Sequence, residues 1–267
     1  EQFSVEGISK PARLVEADQT DELYERYSSF RQQMNERAEH SALVKPHLLA
    51  NWLDEIVRHP RIIECVESVL GPHIVLWESD FNINPARIRG RHALNLSRRQ
   101  TQDSEARTES EFEELNYHQD LPFWNLSDKK AVNVVLAITP MTHQSGAIRV
   151  VPGTHHELFN GEAPQKSTCV ELAPGEFCMH HGNLVYAANP NLTRKDTISL
   201  VMRYISSDVY SYTGVDSVTY IKGEMLHDQF VFEPRVDVDF DDSALSALER
   251  ALCYPSGLGQ GSSDIAG

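Results

Sequence analysis

In the first quarter of the chain, apolar positions recur at helical spacing. A helix is predicted over residues 20–36, where Thr20 and Asp21 offer a cap and acidic residues fill the first turn. A second is predicted over 43–58 from Leu48, Leu49, Trp52, Leu53, Ile56 and Val57. A third opens at Pro60, runs through Ile62, Ile63, Val66 and Val69, and stops at Gly71-Pro72. These stripes read as core faces that pack on something larger.

The period then changes. Residues 73–83 are β-branched and aromatic and predict a strand that Pro85 closes. Further strands are predicted at 131–139, 147–151, 168–172, 176–181, 184–188 and 197–206, with two short ones near 217–221 and 228–233. Many short strands separated by Gly and Pro argue for a β-sandwich or barrel. A last helix is predicted over 241–252, and the Gly- and Ser-rich tail from 256 reads as disordered. Residues 86–114 break the pattern: Arg87, Arg89, Arg91, Arg98 and Arg99 precede a run of acidic residues, with little apolar content. Such a segment buries too little to offset its ordering entropy, so it reads as a long insertion.

Composition narrows the classes. The chain has 267 residues and 40% apolar content, enough for one globular domain spanning 1–267. A formal charge of −15 disfavours nucleic acid and anionic membrane surfaces as partners. No run approaches the roughly 18 apolar residues of a membrane-spanning helix. Cys65, Cys169, Cys178 and Cys253 form no Cys-x-x-Cys, and read as reduced thiols of an intracellular, cytoplasmic protein. The Asn-x-Ser/Thr triplets at Asn95, Asn125 and Asn191 read as chance occurrences.

The candidate chemistry begins at Tyr117-His118-Gln119-Asp120-Leu121-Pro122-Phe123-Trp124. In a strand, residues two apart share a face, so His118 and Asp120 can offer an imidazole nitrogen and a carboxylate oxygen to one metal. With a second His they would form the facial triad of non-haem Fe(II) oxygenases, whose remaining coordination positions stay open. By position, Phe123, Trp124 and Asn133 are candidate substrate-pocket residues, the aromatics being equally readable as core.

Three further motifs follow in order: Ser145-Gly146-Ala147-Ile148-Arg149-Val150-Val151-Pro152-Gly153-Thr154-His155, then Pro174 to Gly182, then Pro190-Asn191-Leu192-Thr193 leading to Met202-Arg203-Tyr204. Together these resemble the phytanoyl-CoA dioxygenase family of Fe(II)- and 2-oxoglutarate-dependent oxygenases, over about residues 40–250. The resemblance implies a double-stranded β-helix (jelly-roll) core with flanking helices. It implies Fe(II) and 2-oxoglutarate as cofactors, with His118 and Asp120 as two of the iron ligands. The family's third ligand is a His, and the position matching it is Tyr186. The Arg that grips the far carboxylate of 2-oxoglutarate matches Thr197. Asn84 stands where relatives often carry Lys. The early His of the family pattern matches His181.

Those departures carry the functional expectation. A guanidinium fork holds a carboxylate bidentately, which a threonine cannot do. A tyrosine ligates iron as phenolate, far from its ordinary pKa of about 10. The first reading is therefore a catalytically degenerate or supporting protein, binding a small molecule or partnering an active homologous oxygenase (a heterodimer) in secondary metabolism. The second is an active oxygenase of this type with non-standard iron ligation, His180 or His181 being possible substitutes. The third is a metal-free acid/base enzyme using His118 and Asp120.

Overall fold

The computed structural model describes residues 2–36, 44–86, 116–162, 164–212, 214 and 216–254. In chain order the elements are α1 (Gln2–Glu6), β1 (Ala12–Arg13), α2 (Thr20–Glu36), α3 (Asn51–Val57), α4 (Pro60–Leu70), β2 (Ile74–Asn84) and α5 (Leu121–Trp124). They continue as β3 (Ala131–Ala137), β4 (Ile148–Val150), β5 (Thr168–Cys169), β6 (Glu176–His181), β7 (Tyr186–Ala188), β8 (Thr197–Ser206), β9 (Asp216–Lys222), β10 (Phe230–Phe232) and α6 (Asp242–Leu252).

The strands form a major sheet in the order β1-β6-β3-β8-β2-β9-β10 and a minor sheet in the order β5-β4-β7. Neighbours are antiparallel except β9 and β10, which run parallel. Every residue of β3 is buried, because both faces of the major sheet are covered. Helices α2, α3, α4 and α6 pack on the outer face through Phe30, Leu53, Val57, Ile62, Val66 and Leu248, against Val134, Leu136, Leu200 and Met202. The inner face meets the minor sheet through Val135, Val201, Cys178, Ile148 and Val150. This is the mainly β, jelly-roll-like architecture with flanking helices expected from the strand pattern.

Most predicted elements stand within a residue or two of their expected ends, and three expectations need correction. The helix expected over 43–58 is two pieces: a 3₁₀ turn Pro46–Leu48 and then α3. Ala50 is extended (φ −141°, ψ 127°), and Lys45 is left-handed (φ 52°), so no continuous helix can cross them. His118 and Asp120 do not lie on a strand. His118 makes one isolated bridge with Tyr186, and Asp120 already has helical dihedrals as the residue before α5. Pro122 at the start of α5 suits a first helical turn and ends any extended run. Finally, α1 and β1 were not foreseen, and β1 extends the major sheet beside β6. The expected insertion at 86–114, beyond Ala86, lies outside the described residues, as does the tail from 256. Among the described residues no helix is long and apolar enough to cross a membrane, and the four cysteines are unpaired.

Candidate functional site

The inner face of the major sheet carries one polar row between two apolar ones. Strand registry aligns His180 of β6 with Asn133 of β3, Asn133 with Arg203 of β8, and Arg203 with Glu78 of β2. Ala131 and Ile205 lie on one side of this row, and Val135, Val201 and Cys178 on the other. Glu78 reaches it through a bulge. The pairing shifts between Leu76, opposite Tyr204, and Glu78, opposite Arg203, leaving Trp77 as the extra residue. A bulge re-aims the side chains after it. Leu76 therefore faces the helices while Glu78 turns inward.

The loop bearing His118 and Asp120 closes over this row. Backbone bonds from His118 N to Tyr186 O and back (3.0 Å each) dock it on β7, and Asp120 and Leu121 both donate to Gly182 O. Between them the buried Gln119 points away and donates to Glu157 O and Asn183 O at 2.7 Å. The structure brings together His118, Asp120, Tyr186 and Asn133. The Tyr186 hydroxyl donates to Asp120 Oδ1 at 2.9 Å and Asn133 Nδ2 donates to Asp120 Oδ2 at 2.7 Å. His118 Nε2 lies 3.6 Å from Asp120 Oδ1. His118 Nδ1 faces the Asn116 carbonyl at 3.0 Å, an acceptor only, so Nδ1 holds a proton and Nε2 is the nitrogen turned toward Asp120. The rings of His118 and His180 sit 4.5 and 5.2 Å from that of Tyr186.

Electrostatics fix the protonation states. Burial, reinforced by Asp120, pushes the Tyr186 hydroxyl well above its ordinary range, so it stands as a neutral phenol donor. Burial also holds His180 low, and hence neutral near pH 7. Burial would lower Arg203, but Asp80, Glu78 and Asp120 raise it further. Arg203 donates to Asp80 and stands 3.9 Å from Glu78.

Burial lifts Glu78 to about 7, with Arg203 opposing. A carboxyl whose folded pKa exceeds its unfolded one favours folding fully below the unfolded value, and that contribution is lost as pH rises through the folded value. For Glu78 the window runs from 4.5 to about 7. Glu78→Gln is therefore expected to be more stable than the native chain at pH 8, by on the order of 2 kcal/mol, and closer to it at pH 4.5. Thermal melts at the two pH values check this, and equal differences at both would contradict it.

The other expected site residues fall elsewhere. Trp124 is core, edge-on to Trp77 with centroids 5.4 Å apart, and Phe123 is exposed. Neither joins the polar row. His181 faces away from His180; it accepts from Asn183 N and packs against His155, and burial lowers it to about 4. Thr197 is buried at the opposite end of β8, paired in register with Asn84. Its hydroxyl donates to Ser145 O at 2.5 Å, while Asn84 Nδ2 donates to Asn189 O at 2.9 Å. Gly146 fits only as glycine: its φ is +92° and a Cβ would lie 2.1 Å from Asn84 Nδ2.

Sequence reading did not single out Glu78, Asp80 or His180 as a connected inner row. One signal was available for Asn133 and Arg203: each is a polar residue set in an otherwise apolar strand.

Comparison with known proteins decides the family. The phytanoyl-CoA dioxygenase (PhyH) model matches residues 5–197. The chain belongs to the phytanoyl-CoA dioxygenase family. Among solved structures it is similar to the non-heme monooxygenase ThoJ in its nickel complex: 25% identity, 94% of each chain covered, TM-score 0.78. It shares its fold with CytC3 in complex with Fe(II) and alpha-ketoglutarate, at 18% identity, 85% and 89% coverage and TM-score 0.62. Among curated proteins, the multifunctional dioxygenase ausE of Aspergillus calidoustus is 34% identical over 96 residues, 31% of this chain and 32% of that protein. The chain aligns with only about a third of the length of these curated relatives.

The residues that the motif resemblance points to do not fit the full cofactor set it implies. At Thr197, which the resemblance matches to the 2-oxoglutarate Arg, Thr197 and Asn84 satisfy backbone carbonyls, and Arg194 and Lys195 are exposed. The one inward guanidinium among the described residues of the row, Arg203, is held by Asp80. For a metal the set offers His118 and Asp120, with the buried His180 on the same face beside Tyr186, and both oxygens of the carboxylate already accept hydrogen bonds. Among the described residues no three His, Cys, Asp or Glu side chains converge as ligands.

Proposed function

We propose that this chain is a catalytically degenerate or supporting member of its family: it keeps the oxygenase chamber, binds a small organic molecule there, and does not run the 2-oxoglutarate reaction. One observation carries the reading. The third ligand position is a neutral phenol that donates to Asp120, while at the co-substrate position Thr197 donates to Ser145 O and Asn84 to Asn189 O. A carboxylate entering that end would find no charged partner, and losing the charged partner of a buried carboxylate costs roughly 2–5 kcal/mol in comparable truncations. His118, Asp120, Tyr186 and Asn133 instead form a pre-organised polar end to the chamber. A homologous, active oxygenase is the protein partner that fits a supporting role.

A second reading, metal-dependent oxygenation with non-standard ligation, has one observation in its favour. His118 Nδ1 is fixed on a backbone carbonyl, the arrangement by which proteins orient a metal-binding imidazole. The similarity to ThoJ, solved as a nickel complex, points the same way.

Anaerobic titration with Fe(II) and 2-oxoglutarate separates the two. The expected result is no stoichiometric metal-to-ligand charge-transfer band and no 2-oxoglutarate-dependent stabilisation in thermal melts. A band at one equivalent, followed by succinate release in air, would overturn the first reading.

A further inference from the structure

The polar row has a charge imbalance and unmet bonding that the family chemistry does not explain. Glu78, Asp80 and Asp120 bring three carboxylates to the inner face, and Arg203 brings one guanidinium. The nearest other cation by electrostatic influence on Glu78, Lys45, lies across β2 and is engaged by Glu233 and Ser217. His180 is neutral. Independently of charge, three buried atoms of this one row have no hydrogen-bond partner among the described residues. They are Glu78 Oε2, Asn133 Oδ1 and Arg203 Nε. Glu78 and Asn133 are 4% and 1% exposed, so these orphan groups lie deep in the fold. An unmet buried polar atom costs about 1–3 kcal/mol, more for a charged one, and three of them cluster in one cross-strand row.

The orphans specify a ligand. With Glu78 ionised, above its value of about 7, two are acceptors that take N–H or O–H donors, and the third is a donor that takes one neutral acceptor. An anion is disfavoured, because it would meet three carboxylates and must displace Asp80 from Arg203. A neutral donor would meet the bonding need but leave the excess negative charge buried and uncompensated. A positively charged nitrogen with N–H donors meets both needs. At the edge of the row the His118 side chain is 38% exposed against 12% for Asp120.

We propose that the chamber recognises a small organic cation, a protonated amine or amidinium, held against the row formed by His180, Asn133, Arg203 and Glu78. This deepens the proposed function and rests on its reading of the chamber as a small-molecule site without iron at Asp120, whose charge the balance includes. Glu78 supplies the charge, Asn133 Oδ1 a second acceptor, and Arg203 Nε a donor for a hydroxyl or carbonyl beside the cationic nitrogen. Asn133 at the same time holds Asp120, which couples the ligand to the His118 end.

The test is calorimetry and thermal melting of the full chain with primary amines from ethylamine to tyramine and tryptamine. Each is paired with the alcohol that replaces ammonium by hydroxyl, and tyramine also with 4-hydroxyphenylacetate. At least one amine is expected to bind at least about 10-fold more tightly than its alcohol, a difference of about 1.4 kcal/mol, with the anion weaker still. At pH 8, Glu78→Gln is expected to abolish that preference, whereas Glu249→Gln on the exposed side of α6 leaves it intact. Equal affinity for amine and alcohol, tighter binding of the anion, no amine binding at millimolar concentration, or an amine preference that survives Glu78→Gln would each overturn the proposal. The amine–alcohol comparison in the native chain stands even if the variant misfolds. Repeating the series with Fe(II) and 2-oxoglutarate separates the two proposals: 2-oxoglutarate binding with amine preference retained defeats only the degenerate reading.

Discussion

Glu233→Ala is expected to destabilise the chain by roughly 3–5 kcal/mol, the range for removing one partner of a buried ion pair, with a fall in melting temperature on the order of 10 °C. Glu233 and Lys45 are both almost fully buried, on the helix-facing side of β2. The Glu233 carboxylate accepts from Lys45 Nζ, from Ser217 Oγ at 2.8 Å and from Thr219 Oγ1. His47 sits between Ser79 Oγ (2.6 Å) and Thr219 Oγ1 (2.8 Å) and completes the network. Alanine would leave the Lys45 ammonium buried without its counter-charge. The same contact ties the residue before the 3₁₀ turn to Ser217 of β9 and to Glu233 just after β10, so both the turn and the sheet edge would loosen. A Lys45→Met/Glu233→Leu double variant removes both charges and is expected to recover most of the loss; a double variant as unstable as Glu233→Ala would contradict this account. Burial raises the Glu233 carboxyl, but Lys45 and His47 outweigh it and hold it at about 2. A depressed carboxyl pKa gives stability that is complete above the unfolded value and is lost as pH falls through the folded one. The native chain should therefore lose this contribution between pH 4.5 and about 2, and the double variant should not. Melts across that range provide the check.

The network shows what the sequence could and could not reveal. Lys45, His47 and Glu233 lie on three separate segments, and nothing local marks them as partners. The strands were legible because β3 and β8 are apolar on both faces and bounded by Gly and Pro. Helix α4 was legible because Pro60 and Gly71 punctuate it. Glu78 was not legible as a chamber residue. Strict alternation puts it on the face of Ile74 and Leu76, and only the bulge at Trp77 turns it inward. His180 and His181 illustrate the converse. Adjacent residues on a strand must take opposite faces, so only one could reach the chamber, and registry with Asn133 selects His180. The His118-x-Asp120 pair was found by motif, but the expectation of a strand there was wrong. The two side chains converge because the docked loop turns at Asp120, not because a pleat aligns them. The resemblance singled out Asn84 and Thr197 as separate departures, and only their cross-strand registry shows that they are neighbours.

Tyr186→His combined with Thr197→Arg is expected to create metal and 2-oxoglutarate binding where the native chain has little. The first substitution removes the phenol that donates to Asp120 Oδ1 and places an imidazole in the same strand position, beside His118. Two imidazoles and a carboxylate on one side leave open coordination positions for a co-substrate. Even neighbours of metal ligands change affinity about 10–100-fold, so an added ligand should raise Co(II) affinity at least about 100-fold. The second substitution introduces the missing guanidinium. A charge-assisted clamp on a buried carboxylate is worth roughly 2–5 kcal/mol, or about 30-fold to several thousand-fold in affinity. It also removes the donor to Ser145 O and crowds Asn84, so Thr197→Arg alone should destabilise the fold by about 1–3 kcal/mol. The two changes should be strongly non-additive in 2-oxoglutarate binding, because the Arg holds one end of a molecule whose other end needs the metal. Cobalt absorption reads the first effect, and the charge-transfer band of the anaerobic Fe(II) complex reads the second. If the native chain shows the same cobalt spectrum and affinity as Tyr186→His, the phenol is no obstacle to ligation, and the reading of a site closed by its own hydrogen bonds fails.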